Sequence, residues 1–221
     1  MKIACLHAAD SNIAVFRHSL QQLDLTHVAL MHQVEAQLLA DAEQAGCLTT
    51  AIIDQTRAAI TQLCQQAEAV IVSCTTLGAA AADASQFSKP VVRLDAALVQ
   101  QAFTGSSNIL VLCAAPVTVA STRALFLQRQ SAAQRVTVEW VPAAWARFKA
   151  GEMAAYQRCI AEYANDYLRR HPGIDCLVLA QSSMSAAASL MTSGIRILSA
   201  PAAGLQAAVA LISGAASIRP T

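Results

Sequence analysis

The chain has 221 residues, 55% of them apolar and only 13% charged, with 15 Lys and Arg against 14 Asp and Glu for a net charge of +1. A charged share about half that of an average soluble protein leaves surface to be covered and predicts a homodimer or higher homo-oligomer. The near-neutral, scattered charge gives no footing for nucleic acid, and no nucleic-acid-binding motif is present. The most apolar stretch, residues 197–217, is broken by Pro201, Gly204, Gln206 and Gly214. It falls short of the roughly 20 unbroken apolar residues of a bilayer span and reads as a docked helix. Seven cysteines, an odd number without a CxxC pair, predict free thiols in a cytoplasmic protein. The first residues carry one Lys and a short apolar run stopped by Asp10, which reads as a strand and not a secretory signal.

In chain order, residues 3–8 read as a first strand, with Asp10, Ser11 and Asn12 closing it and starting a helix near 13–23. A second strand is expected at 26–31, then a short helix ended by Gly46. Thr49 or Thr50 caps a longer helix running to about 66. Residues 69–72 are a short β-branched run, as a strand covered on both faces would be. Cys74, Thr75 and Thr76 follow it and open an Ala-rich helix over 77–84. A strand at 90–94 and a helix at 95–103, with Asp95 as its cap, complete a first half. The turn cluster Gly105–Asn108 restarts the pattern: strand 109–114, helix 116–128, strand 136–141, a long helical stretch to about 170 interrupted near Gly151, and a strand from Cys176. A strand at 195–198 and a final helix at 202–213 end it.

The second half repeats the first. IACLHAADS lies over ILVLCAAPV at an offset of 106 (109 minus 3), and AVIVSCTTLGAAAA over CLVLAQSSMSAAAS at 107 (176 minus 69). Two segments with nearly one offset predict an α/β protein of two pseudo-symmetric Rossmann-like βα halves with parallel sheets, residues 1–95 plus 200–221 and residues 96–199. Ligands of open parallel sheets bind at the carboxyl ends of the strands. An inter-domain cleft is therefore expected between Asp10, Ser11, Asn12, Cys74, Thr75 and Thr76 on one side and Thr118, Gln181, Ser182 and Ser183 on the other. This small polar pocket has no cation of its own. At a strand end facing a helix start, Cys74 is placed where free N–H groups favour a thiolate.

Asp10-Ser11-Asn12, Cys74-Thr75-Thr76, Thr118-Val119-Ala120-Ser121 and Leu179-Ala180-Gln181-Ser182-Ser183 together resemble the motif set of the aspartate/glutamate/hydantoin racemase superfamily, over essentially the whole chain. The resemblance implies cofactor-independent chemistry, in which two cysteines flank the α-carbon of a small carboxylic acid. It implies Cys74 as acid/base or nucleophile, Asp10 as the acid beside it, Ser11, Asn12 and Thr118 as substrate contacts, and Thr75, Thr76, Ser182 and Ser183 as the carboxylate cradle. The second cysteine's position holds Gln181, which cannot exchange a proton near neutral pH as a thiol of pKa about 8.5 can. Cys176, at the start of its strand, cannot replace it. Gln181 fits instead as a hydrogen-bond donor to an enolate-like oxygen.

Three functions follow: a racemase- or isomerase-like enzyme on a small carboxylate such as an amino acid, hydantoin or diacid; a one-sided lyase such as a decarboxylase; and a non-catalytic carboxylate-binding or regulatory protein. Local readings compete at several residues. Asp10 and the paired hydroxyls serve as helix caps in any fold. His7 and Cys113 read as packing, and His32 as a solvated connection residue within reach of the cleft. His27 and His32 make no metal site without further ligands. The absence of GxGxxG and of a phosphate-binding loop argues against a nucleotide.

Overall fold

In a computed structural model that describes residues 1–217, the chain forms two compact units, Met1–Ala97 joined by the segment from Pro201 onward, and Leu98–Ala200. The first contains β1 (Lys2–His7), α1 (Ser11–Gln22), β2 (Ala29–Val34), α2 (Ala36–Ala45), α3 (Thr50–Cys64), β3 (Ala69–Val72), α4 (Thr75–Gly78) and β4 (Val91–Arg93). Helix α5 (Leu94–Phe103) leads to the second unit, with β5 (Asn108–Cys113), α6 (Val119–Leu127), β6 (Arg135–Trp140), α7 (Ala144–Lys149), α8 (Met153–Arg170), β7 (Cys176–Leu179) and β8 (Arg196–Ser199). Helix α9 (Ala200–Ser217) returns to the first.

Each unit holds one four-stranded sheet, all parallel, in the orders β2-β1-β3-β4 and β6-β5-β7-β8. The repeat seen in the sequence extends to individual hydrogen bonds. Ala29 N–H donates to the Met1 carbonyl at 2.9 Å and Arg135 N–H to that of Ser107 at 2.7 Å. Ser73 N–H donates to Leu6 O at 3.0 Å, and Ala180 N–H to Leu112 O at 3.1 Å. The acceptors differ by 106 (107 minus 1, 112 minus 6) and the donors by 106 or 107 (135 minus 29, 180 minus 73).

The central strands are continuous apolar runs because both faces are covered. In the first unit Ala4, Leu6, Val70 and Val72 pack against Ile52, Ile60 and Leu63 of α3 and Leu38 and Ala42 of α2. In the second, Leu110, Leu112, Leu177 and Leu179 pack on Tyr156, Ile160 and Ala164 of α8. Helix α9 lies close on the first unit: a Cβ on Gly204 would collide with Leu94 Cδ1, so a larger residue there would require the Leu94 side chain to shift. No helix among the described residues is long and apolar enough to cross a membrane.

Strand β2 runs from Ala29 to Val34, three residues later than the pattern suggests, because Leu25–Val28 close a turn in which Val28 N–H donates to Leu25 O at 3.0 Å. The helix after Cys74 is also shorter than expected, a single α-turn passing into a 3-10 turn over Ala79–Ala81. Ser182–Leu190 is 3-10 throughout. Thr49 is the cap of α3, its Oγ1 accepting the Ile52 N–H at 3.4 Å.

Candidate functional site

In the first unit the segments after β1 and β3, which are adjacent strands, emerge on one edge of the sheet and carry Asp10–Asn12 and Cys74–Thr76. Cys74 keeps an extended backbone (φ −92°, ψ 122°) and stands at the N-cap of α4. It makes no side-chain cap bond, though the backbone N–H groups of Thr76 and Leu77 and the Thr76 hydroxyl lie on the side of its thiol. These donors draw the thiol pKa down, but burial outweighs them and the net shift is upward. The helix start therefore does not hold Cys74 as a resting thiolate: one α-turn has little macrodipole to set against desolvation. The carboxylate felt by Cys74 is Glu43 of α2, which adds to the rise.

Asp10 is exposed and makes no side-chain cap bond, so the capping expected of it does not occur; its carbonyl accepts the Ile13 N–H at 3.0 Å. Ser11 is exposed and Asn12 half-buried at the start of α1. Thr75 and Thr76 are exposed on the outer side of the Cys74 turn.

Two features of this unit were missed in the sequence. The first is a buried polar chain: His7 Nδ1 lies 2.8 Å from Ser73 Oγ, and His7 Nε2 lies 2.9 Å from His32 Nδ1. Phe16 of α1 meets the His7 ring edge-on at 5.1 Å. His7 is thus neither mere packing nor unpartnered, and His32 is no solvated connection residue. Burial, and then the neighbouring His32, lower the His7 pKa to about 4; burial and Arg17 lower that of His32. The second is Arg93 at the carboxyl end of β4, whose Nε and Nη2 reach the Asp95 carboxylate at 3.2 and 2.8 Å. Its side chain passes over Gly78 of α4, where a Cβ would lie 3.7 Å from Nε. A cation therefore does stand beside the Cys74 turn. Asp95 also accepts the Ala96 N–H at 2.8 Å.

In the second unit Gln181 occupies the place after β7 that Cys74 holds after β3, again with an extended backbone (φ −112°, ψ 141°). Its Oε1 accepts the N–H groups of Ala114 at 2.7 Å and Ala115 at 2.9 Å. Two donors on one amide atom identify that atom as oxygen and leave Nε2 as the donor end. Ser183 Oγ pairs with the buried Tyr156 hydroxyl at 2.8 Å. Burial drives the Tyr156 pKa up to about 12. Thr118 donates its hydroxyl to Ala115 O at 2.8 Å and lies with Thr122 beside Cys113, a thiol that burial holds in its neutral form. Ser182 contributes its carbonyl to the Ser185 hydroxyl at 2.7 Å. Cys176 is buried at the start of β7, as its position in the strand requires.

No family model and no curated protein sequence matches the chain. Solved structures do. An allantoin racemase from Klebsiella pneumoniae superposes with a TM-score of 0.69 at 14% identity over 97% of this chain and 89% of its own. That is the fold of the amino-acid and allantoin racemases. An aspartate racemase homologue from Pyrococcus horikoshii gives 0.66 at 13% identity, covering 96% of this chain and 99% of that one. The Picrophilus torridus aspartate racemase gives 0.66 at 15%, covering 97% and 94%. The fold implied by the sequence resemblance is the fold found.

Proposed function

We propose that the chain belongs to the aspartate/glutamate/hydantoin racemase superfamily and is a cofactor-independent enzyme acting at the acidic carbon of a small carboxylate, an amino acid, hydantoin or diacid. Cys74 is the group that moves the proton or attacks. The observation that carries this reading is the place of Cys74, half-buried after the end of β3 and at the N-cap of α4, where the nearby N–H groups of Thr76 and Leu77 and the Thr76 hydroxyl lower the cost of the thiolate each time the proton leaves sulfur. The exposed Thr75 and Thr76, with Ser11 and Asn12 on the same sheet edge, supply hydroxyl and amide contacts for a carboxylate. Asp10 is the acid of that edge.

Two observations favour a one-sided version, in which a carbanion or enediolate left by decarboxylation is protonated from a single face. Burial keeps Cys74 as a thiol at neutral pH, so its resting form is a proton donor and not a base. Gln181 meanwhile offers an amide N–H, which stabilises an enolate-like oxygen but exchanges no proton. Thr118, Ser182 and Ser183 belong to the same half of the substrate cradle in this reading. The small charged share also supports a homo-oligomer, which light scattering would show, and the free thiols support a reducing, cytoplasmic setting.

The test is a panel of both enantiomers of amino acids and hydantoins, together with arylmalonates and maleate, followed by optical rotation and carbon dioxide release. Turnover of one class that disappears in Cys74→Ala is expected. Turnover equal in wild type and Cys74→Ala would reject the assignment of Cys74, and a wild type inert to every class would favour a binding protein.

A further inference from the structure

The face of the first sheet that carries Cys5 and His7 holds three metal-ligating side chains that the proposed reaction does not use. Alternation along β1 puts Cys5 and His7 on one face, and the parallel register sets His32 of β2 opposite Cys5. One ligand atom from each residue, the thiol sulfur and a nitrogen of each ring, lies within 4.8 Å of the other two. His7 Nε2 and His32 Nδ1 already share a proton at 2.9 Å, and His32 Nε2 is buried without a partner among the described residues. The geometry points to a transition-metal site made by Cys5, His7 and His32, suited to zinc or another borderline-to-soft cation.

One thiolate and two imidazoles form a zinc-type donor set, and three protein ligands leave a fourth position for water. Around a tetrahedral zinc, sulfur at about 2.3 Å and nitrogen at about 2.0 Å put neighbouring ligand atoms roughly 3.3–3.5 Å apart. To take up that spacing the ring–ring pair has to open from 2.9 Å, and the three ligand atoms, now within 4.8 Å of one another, have to draw round the ion. Ser73 is the outer partner: with His7 Nδ1–H donating to Ser73 Oγ, His7 Nε2 presents its lone pair to a cation.

The proton balance is simple. The cation displaces the Cys5 proton, which leaves to solvent, and the proton between the rings moves to His32 Nε2. Arg17, whose charge bears on His32, works against a cation, and the Cys5 thiolate supplies the negative charge that offsets it. Strand β2 is the edge of its sheet and His32 is half-buried, which gives an ion its way in.

The test is a cobalt(II) titration of the full chain after chelator treatment. One equivalent is expected to bind, with the visible absorption of tetrahedral cobalt and a thiolate-to-cobalt charge-transfer band. His32→Gln, an edge-strand change checked for folding by circular dichroism, should weaken binding more than about tenfold, since even outer partners of a ligand are worth that much. Cys5→Ser should remove the charge-transfer band. The band should survive Cys47→Ser, because Cys47 is an exposed thiol outside the cluster. No binding by folded wild type at micromolar cobalt, undiminished binding in His32→Gln, or loss of the band in Cys47→Ser would each overturn the site.

Discussion

Gln181 Oε1 accepts the Ala114 N–H at 2.7 Å, and the next N–H, of Ala115, at 2.9 Å, so one side chain at the end of β7 ties off the end of β5. Removing it leaves two backbone donors without acceptors. Gln181→Ala is expected to cost about 1–3 kcal/mol in urea unfolding, the penalty for orphaned buried polar groups. Gln181→Glu, which keeps an acceptor oxygen in the place of Oε1, should cost less. Equal losses in the two variants would show that the amide oxygen is not what holds the strand end.

The His7 cluster makes stability depend on pH. His7 has a folded-state pKa of about 4, below its ordinary 6.5, chiefly through burial. A depressed value means that the unfolded chain takes up a proton that the folded chain refuses. The stabilisation is therefore complete above about pH 6.5 and is lost as pH falls toward 4. A shift of this size is worth about 3 kcal/mol. Urea midpoints of chelator-treated protein between pH 7.5 and 4.5 should fall with pH, and His7→Gln should flatten that slope. A wild-type midpoint constant over this range would contradict the buried neutral imidazole.

How much of this was legible in the sequence depends on what each feature needed. The parallel halves were readable because the central strands are buried on both faces and their apolar runs need no partner to be recognised. The offset of 106 or 107 then fixed the symmetry, down to matching backbone hydrogen bonds. His7 and His32 were not readable as a pair, because contact between strands depends on register. With β2 placed three residues early, His32 falls beyond the strand's end; at Ala29–Val34 it stands opposite Cys5. The Cys74 thiol was placed in the right turn but with the wrong sign of shift. Its pKa depends on how many residues after Thr75 stay α-helical and on how deeply the sulfur is covered, and no local pattern fixes either. Arg93 was overlooked because a lone Arg at a strand end carries no signal until Gly78 is packed beneath it.

Cys74 should alkylate as a half-buried thiol of raised pKa. Its pKa is raised above that of a free thiol, with burial as the first cause. The rate of iodoacetamide labelling at Cys74, read by peptide mass spectrometry, should still be rising at pH 9. Thr76→Val, which removes a hydroxyl that draws the Cys74 pKa down, should push that profile further up. Labelling at neutral pH faster than that of a free cysteine peptide would contradict it.

Tyr156 and Ser183 form a test of the second unit's interior. Tyr156→Phe keeps the ring in its place against Phe148, 5.3 Å between centroids, and deletes only the hydroxyl at 2.8 Å from Ser183. A loss of about 1 kcal/mol in urea unfolding is expected, the usual net worth of one hydrogen bond. No measurable loss would mean that the Ser183 hydroxyl finds an equal partner without it.

The most direct measurement of the central claim is proton NMR of the turned-over carboxylate in D₂O, wild type against Cys74→Ala. Deuterium entering at the acidic carbon in wild type, from one face and without inversion, and absent in Cys74→Ala, is the expected result. It would establish Cys74 as the proton carrier and fit the amide at Gln181. Deuterium incorporation at the same rate in Cys74→Ala would contradict it.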